Sequence, residues 1–297
     1  MFLLILSYVS LLAFIGLSIY KAIQYGKMPM HGRLDLYPVP KEKGKGHYGG
    51  SYYEVLEWWK KPRETSLFEE IVDMLKEVLF IKKLFDNQRP LWWISYSLHL
   101  GIYILFVWTA LLFVGALTEL AGITMGSGHW WAVVVYHLTF ITGLVGALMV
   151  AFGAGALLIK RQFVDYFKKY TTLQEYFNLA FILVVAVTGL MVWVSDPGFN
   201  YGRHIAMSML TFSPIEASAV LSLHIILLGI LLIYIPLTKM SHYVGKYFSF
   251  HKVLWDNDPN VPGSEVDKII KEAQIAKPKN NWSAPHYQPE PPKTQEM

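Results

Sequence analysis

Five runs of about 20 or more apolar residues decide what this chain can become. They fall at 2–22, 92–118, 130–158, 174–194 and 217–240. An α-helix rises 1.5 Å per residue, so about 20 residues cross a hydrocarbon core of roughly 30 Å. The reading is an all-α integral membrane protein, a five-transmembrane-helix bundle. Composition agrees: 54% of the residues are hydrophobic and 16% charged, where a soluble domain carries about 25% charged. The boundaries follow. Residues 1–22 form an N-terminal anchor helix, 23–91 a loop, 92–242 a four-helix core and 243–297 a tail. The first run lacks a basic n-region and a small-residue cleavage site, so it is read as a retained anchor.

Charge fixes an expected orientation. Residues 23–91 carry twelve Lys/Arg, and Lys160, Arg161, Lys168 and Lys169 follow the third run. Residues 119–129 have none, and 195–216 have only Arg203. By the positive-inside rule, the N-terminus lies outside and the long loop and C-terminal tail lie in the cytoplasm of a cell membrane. Within the loop, Phe68, Ile71, Val72, Leu75, Val78 and Leu79 make a helical stripe behind Ser66 and Glu69, a capping-box pair. That helix lies on the membrane surface or docks on another subunit. The tail, with Pro285, Pro289, Pro291 and Pro292, reads as unfolded until it meets a partner.

With no cysteine in the chain, iron–sulfur clusters, thiolate chemistry, disulfides and covalently attached haem are excluded. A redox group would have to be held by other side chains. Of ten histidines, His31, His47, His251 and His286 read as solvated. His99, His137, His224 and His242 fall in or beside the apolar runs, where an ionisable side chain is costly and marks a functional site by default. His224 and His242 are 18 residues apart, five helical turns, on one face and roughly 27 Å apart along the axis. That separation is too long for one metal and suits two stacked haems. Depth along the helices pairs His137 with His224 on the outer side, and His99 with His242 on the inner side. Neutral imidazoles that merely bond neighbouring helices are the competing reading. Gly101, Gly143, Gly146, Gly189 and Gly229 would admit the flat porphyrin faces. Lys239 and Arg203 would meet the haem propionates, or else serve as interfacial charges. His204 is an alternative outer ligand. For a quinone near the outer haem, the polar candidates are Glu119, His129, Asp196, Arg203 and His204.

The stretch His224-Ile-Ile-Leu-Leu-Gly, followed by Pro236-Leu-Thr-Lys239-Met-Ser-His242, resembles the last helix of the NarI-like di-haem cytochrome b family of respiratory nitrate reductases. The family pattern of His, eleven residues, Pro, two residues, a basic residue, two residues and His is reproduced at every spacing. Ser97-Leu-His99-Leu-Gly101 and the exit Leu157-Leu-Ile-Lys-Arg161 are also similar. The family places a further ligand ten residues after the first, where this chain has Thr109, and threonine is not a haem ligand. With the long first loop, this departure makes the chain most similar to the DsrM/HmeC type, the cytochrome b subunit of DsrMKJOP-type (Hme) complexes of sulfate metabolism.

The resemblance implies an electron-transfer subunit with two b haems. It would exchange electrons with menaquinone and with a cytoplasmic iron–sulfur partner of the heterodisulfide-reductase type, beside other membrane subunits. A haem-free anchor or scaffold is the alternative. A proton-relay transporter is disfavoured, since neither internal repeats nor broken helices are evident.

Overall fold

A computed structural model describes residues 1–27, 55–62, 66–249 and 262–275, and these are organised by helices without strands. In chain order they are α1 (Phe2–Gly26), a 3-10 turn (Trp58–Lys60), α2 (Leu67–Phe80), α3 (Lys82–Asn87), α4 (Arg89–Leu120), α5 (Trp130–Phe163) and α6 (Asp165–Tyr170). There follow α7 (Leu173–Ser195), α8 (Asn200–Thr211), α9 (Ala219–Leu237), a second 3-10 turn (Lys239–Ser241), α10 (His242–Ser249) and α11 (Glu265–Ile275). Helices α1, α4, α5, α7 and α9 are long and apolar enough to span a membrane. The chain is therefore an integral membrane helical protein. His31, His47, His251, His286 and the proline-rich stretch of the tail lie outside the described residues.

Local chemistry explains where these helices begin and end. At the start of α2, the Ser66 hydroxyl accepts a hydrogen bond from the Glu69 amide at 3.3 Å, satisfying one of the free N–H groups of the first turn. At its other end, Ile81 takes a left-handed conformation (φ 51°) and turns the chain into α3. Helix α4 has a proline in its first turn, where no N–H is needed. A full capping box opens α7, with Thr172 and Glu175 each bonding the other's backbone. The fifth run differs from its expected course. Pro236 lies inside α9 and brings no N–H, and Thr238 is extended (φ −122°, ψ −176°). The helix stops at Leu237, so His242 begins a separate helix instead of ending the same one.

Small residues set the tightest packing. A Cβ on Gly101 of α4 would lie 2.8 Å from the Val150 nitrogen of α5, and one on Gly153 would lie 2.6 Å from the Leu98 nitrogen. The two backbones touch because nothing stands between them, the usual device for packing helices in lipid. Leu98, Val150, Ala154, Leu157 and Leu179 fill the core beside this contact. Helix α7 packs against both α5 and α9, and α1 lies along α9. The spans alternate in direction, so α4 begins where α5 and α9 end. Lys160 and Arg161 are also there, and this is called the basic end.

Helix α10 is held at the basic end by its neighbours. Tyr243 stacks on Phe14 of α1 at 5.9 Å and shares a hydrogen bond with Ser18. Lys246 donates to Glu77 of α2 at 2.6 Å. Glu77 is only 5% exposed, and it also accepts from the Lys83 amide at 2.9 Å.

Candidate functional site: histidines at two levels

At the basic end the chain brings His99 and His242 face to edge, with ring centres 6.0 Å apart. His99 sits in α4 and His242 opens α10, so the pair joins segments far apart in sequence. The Nδ1 of His99 lies 2.7 Å from the Ser95 carbonyl, and that of His242 lies 3.3 Å from the Lys239 carbonyl. A carbonyl only accepts, so each Nδ1 carries the proton and each Nε2 keeps its lone pair. Metal-binding histidines are commonly oriented in this way. With a metal–imidazole bond of about 2 Å on either side of an ion, opposed ring centres stand roughly 6 Å apart. In donor chemistry and ring-centre separation the two residues match what a haem iron, which takes one or two protein ligands, requires. Among the described residues no three His, Asp or Glu side chains group as a compact metal site would.

Toward the other end, His224 is held differently. Its Nδ1 is 3.0 Å from the Thr188 hydroxyl of α7. That hydroxyl is itself 3.0 Å from the Val185 carbonyl and donates to it, so its oxygen accepts from His224 and Nε2 again keeps its lone pair. Gly189 makes room for the ring: a Cβ there would lie 3.0 Å from its Cε1. His137 is exposed on α5, with its ring edge-on to Tyr136 at 5.4 Å. No ring contact joins His137 and His224 among the described residues. Thr109, at the family's further ligand position, donates to the Leu105 carbonyl at 2.9 Å, an ordinary use of threonine inside a helix.

The remaining candidates separate into a network and two surface residues. Arg203 Nε lies 3.1 Å from Glu119 Oε1, near enough for an ion pair though not aligned as a hydrogen bond. Its Nη2 donates to Asn200 Oδ1 at 2.8 Å. Asn200 donates to Asp196 at 2.7 Å, and Asp196 accepts from the Tyr201 amide at 2.7 Å. Glu119, Arg203 and Asp196 thus meet at the start of α8, where Arg203 helps line a small cavity with Met125, Tyr136, Thr139 and Gly198. His129 and His204 are exposed. His129 caps α5, accepting from the Trp131 amide at 3.3 Å, and stacks on Trp130.

Other candidates have further contacts. Lys239 is exposed, and its carbonyl is the one that lies beside His242 Nδ1. Four of the glycines lie against protein: Gly101 and Gly146 meet each other's carbonyls, Gly143 takes Trp108 and Phe199, and Gly229 takes Ser10. Two indole N–H groups, of Trp108 and Trp193, are buried without a partner among the described residues. Trp193 is one turn beyond Gly189 on α7 and so on the helix face that meets His224. Lys246 and Glu77, beside the His242 segment, did not figure among the sequence candidates. The only sequence signal for Glu77 is its place in the row Glu69, Asp73 and Glu77, spaced four apart.

No protein-family model matches the chain, and no solved structure matches it. A curated relative from Archaeoglobus profundus, described as an Hdr-like menaquinol oxidoreductase cytochrome b-like subunit, is 26% identical over 143 residues. The match covers 41% of this chain and 41% of the relative, so the chain spans well under two thirds of that protein's length. Over that portion, this helical membrane protein is similar to a cytochrome b-like subunit.

Proposed function

We propose that this chain is a cytochrome b-type electron-transfer subunit of a membrane oxidoreductase complex. The observation that carries the reading is the His99–His242 pair. Two imidazoles lie 6.0 Å apart, each tied through Nδ1 to a backbone carbonyl, at the level where a spanning helix meets the basic end. A b haem held there would supply a one-electron carrier. His99 and His242 would be its axial ligands, and Lys239 remains the proposed cation for its propionates.

The proposal includes a second haem at His224, with His137 as the other ligand and His204 as the alternative. Arg203 would be its propionate partner, and Glu119, Asp196, His129 and His204 would bind or exchange protons with a quinone. Menaquinone is proposed as the mobile electron carrier, following the description of the archaeal relative. The absence of cysteine assigns any iron–sulfur cluster to a separate partner, proposed to be a cytoplasmic subunit of the heterodisulfide-reductase type in a sulfate-metabolism respiratory complex. The N-terminus is proposed to lie outside the cell membrane.

Reduced-minus-oxidised spectra and haem quantitation on the purified protein test this reading. Bands of b type with about two haems per chain are expected. A colourless protein from cells that make haem would leave the anchor or scaffold reading in its place.

A further inference from the structure

Helix α2 is turned inside out relative to an ordinary surface helix. Its apolar row Phe68, Ile71, Leu75 and Leu79 faces away from the protein, with Phe68 76% and Leu75 44% exposed. Its acidic row Glu69, Asp73 and Glu77 faces inward. Glu77 is buried against Lys246, and one Glu69 carboxylate oxygen is buried without a partner among the described residues. Burial also pushes the Asp73 carboxyl above the usual carboxylate range. In water this arrangement is the wrong way round, because it exposes apolar surface and desolvates charge.

The position of α2 along α4 explains the inversion. Tyr103 of α4 donates to the Val78 carbonyl at 2.7 Å. Every stretch of about 20 residues within a 32-residue helix such as α4 includes Tyr103, so Tyr103 lies within the hydrocarbon wherever the bilayer sits along it. Val78 is therefore one tyrosine side chain from that depth. Trp92 donates to the Phe80 carbonyl at 2.7 Å, and Phe80 stacks on Tyr96. Trp93 is 64% exposed on the same turn of α4. Trp and Tyr gather where hydrocarbon meets headgroups. Lys76 near the end of α2 and Lys82 and Lys83 at the start of α3 are exposed, with Lys82 paired to Asp86, the kind of long basic side chain that lines the headgroup level.

We propose that α2 is an interfacial helix embedded in the leaflet at the basic end, its row Phe68, Ile71, Leu75 and Leu79 immersed in acyl chains. The helix lies in the membrane plane without crossing it. This assignment does not depend on haem.

The natural absence of cysteine makes the test direct. Single variants Phe68→Cys, Ile71→Cys and Leu75→Cys of the full chain, with Glu272→Cys of exposed α11 as reference, would carry a nitroxide label. They would be reconstituted into phosphatidylethanolamine–phosphatidylglycerol vesicles. Lipid-soluble oxygen should relax the three α2 labels several-fold more effectively than a water-soluble nickel chelate, with the reverse preference at residue 272. Equal or greater access of the chelate at residues 68 and 75 would place this face in water and overturn the proposal. Exclusion of both reagents would show a protein surface over α2 and overturn it equally.

Discussion

At the basic end, two histidines from different segments meet, and each is oriented by a backbone carbonyl. Farther along the bundle, His224 is oriented by a threonine hydroxyl on α7, while His137 looks out from the surface of α5. The difference lies in what surrounds each ring. The Ser95 carbonyl is fixed by α4, so the backbone sets His99, whereas the Lys239 carbonyl lies in a short turn and His242 is set jointly by that turn and by the neighbours of α10. His224 depends on one side chain, Thr188, and on the space above Gly189. A ring that is held by the backbone of its own helix, as His99 is, should tolerate substitutions around it. One that leans on a single hydroxyl should not.

The largest effect that would break this comparison is loss of haem. Within the proposed function, His99→Ala and His242→Ala should each lower haem content from about two to about one per chain and remove the same spectral component. If the two variants lose different components, the pair does not share an iron. His224→Ala should remove the other component. His137→Ala, measured beside it, decides the partner: full retention of haem would pass the role to His204 or to another side chain.

A smaller effect sharpens the contrast between backbone and side-chain orientation. Thr188→Val removes the acceptor for the His224 N–H and should weaken haem retention at that level by about 10- to 100-fold. The His99–His242 component should keep its spectrum. Equal loss of both components would mean that Thr188 matters for the whole bundle. Smaller again, Glu119→Gln leaves the Arg203 guanidinium without its carboxylate partner and should cost about 2 kcal/mol, read as a lower melting temperature in detergent. An unchanged melt would show that the Glu119–Arg203 pair does not contribute to stability.

The smallest effect lies on α2, outside both histidine levels. Because burial raises the Asp73 carboxyl, the folded state favours its protonated form. The cost of ionising it is absent well below the usual carboxylate range and fully present once pH has risen through the folded value. Asp73→Asn should therefore leave stability unchanged or slightly higher near neutrality, with the difference from the parent fading in acid. A clear loss at neutral pH would show that the ionised carboxylate is used.

Much of the architecture was legible in the residues. Five apolar runs became five helices long and apolar enough to span a membrane, and the stripe behind Ser66 became α2 with the hydroxyl cap in place. Those signals are local and repeat over many residues. The break before His242 was harder to see, because a proline near a helix end is compatible with either a kink or a stop. Here the helix stops one residue after Pro236 and the chain becomes extended at Thr238. The five-turn spacing of His224 and His242 therefore describes the sequence but not one continuous helix. Arg203 and Glu77 illustrate a second limit. Their partners, Glu119 and Lys246, lie on other helices, and composition cannot say which of several opposite charges will be nearest. The glycines mark a third. A gap in a helix surface is visible in sequence, but what fills it is decided by the neighbour, here a backbone, an indole or a histidine ring.

The interruption between Pro236 and His242 has a consequence for the rest of the molecule. A side chain on an unbroken span inherits its aim from that span, but His242 opens a short helix beyond the break. Its direction is governed by what grips that helix: Phe14 and Ser18 from the first helix, and Glu77 through Lys246 from α2. The N-terminal helix is then a steering element as well as a tether. Shortening it would misdirect an imidazole more than two hundred residues away.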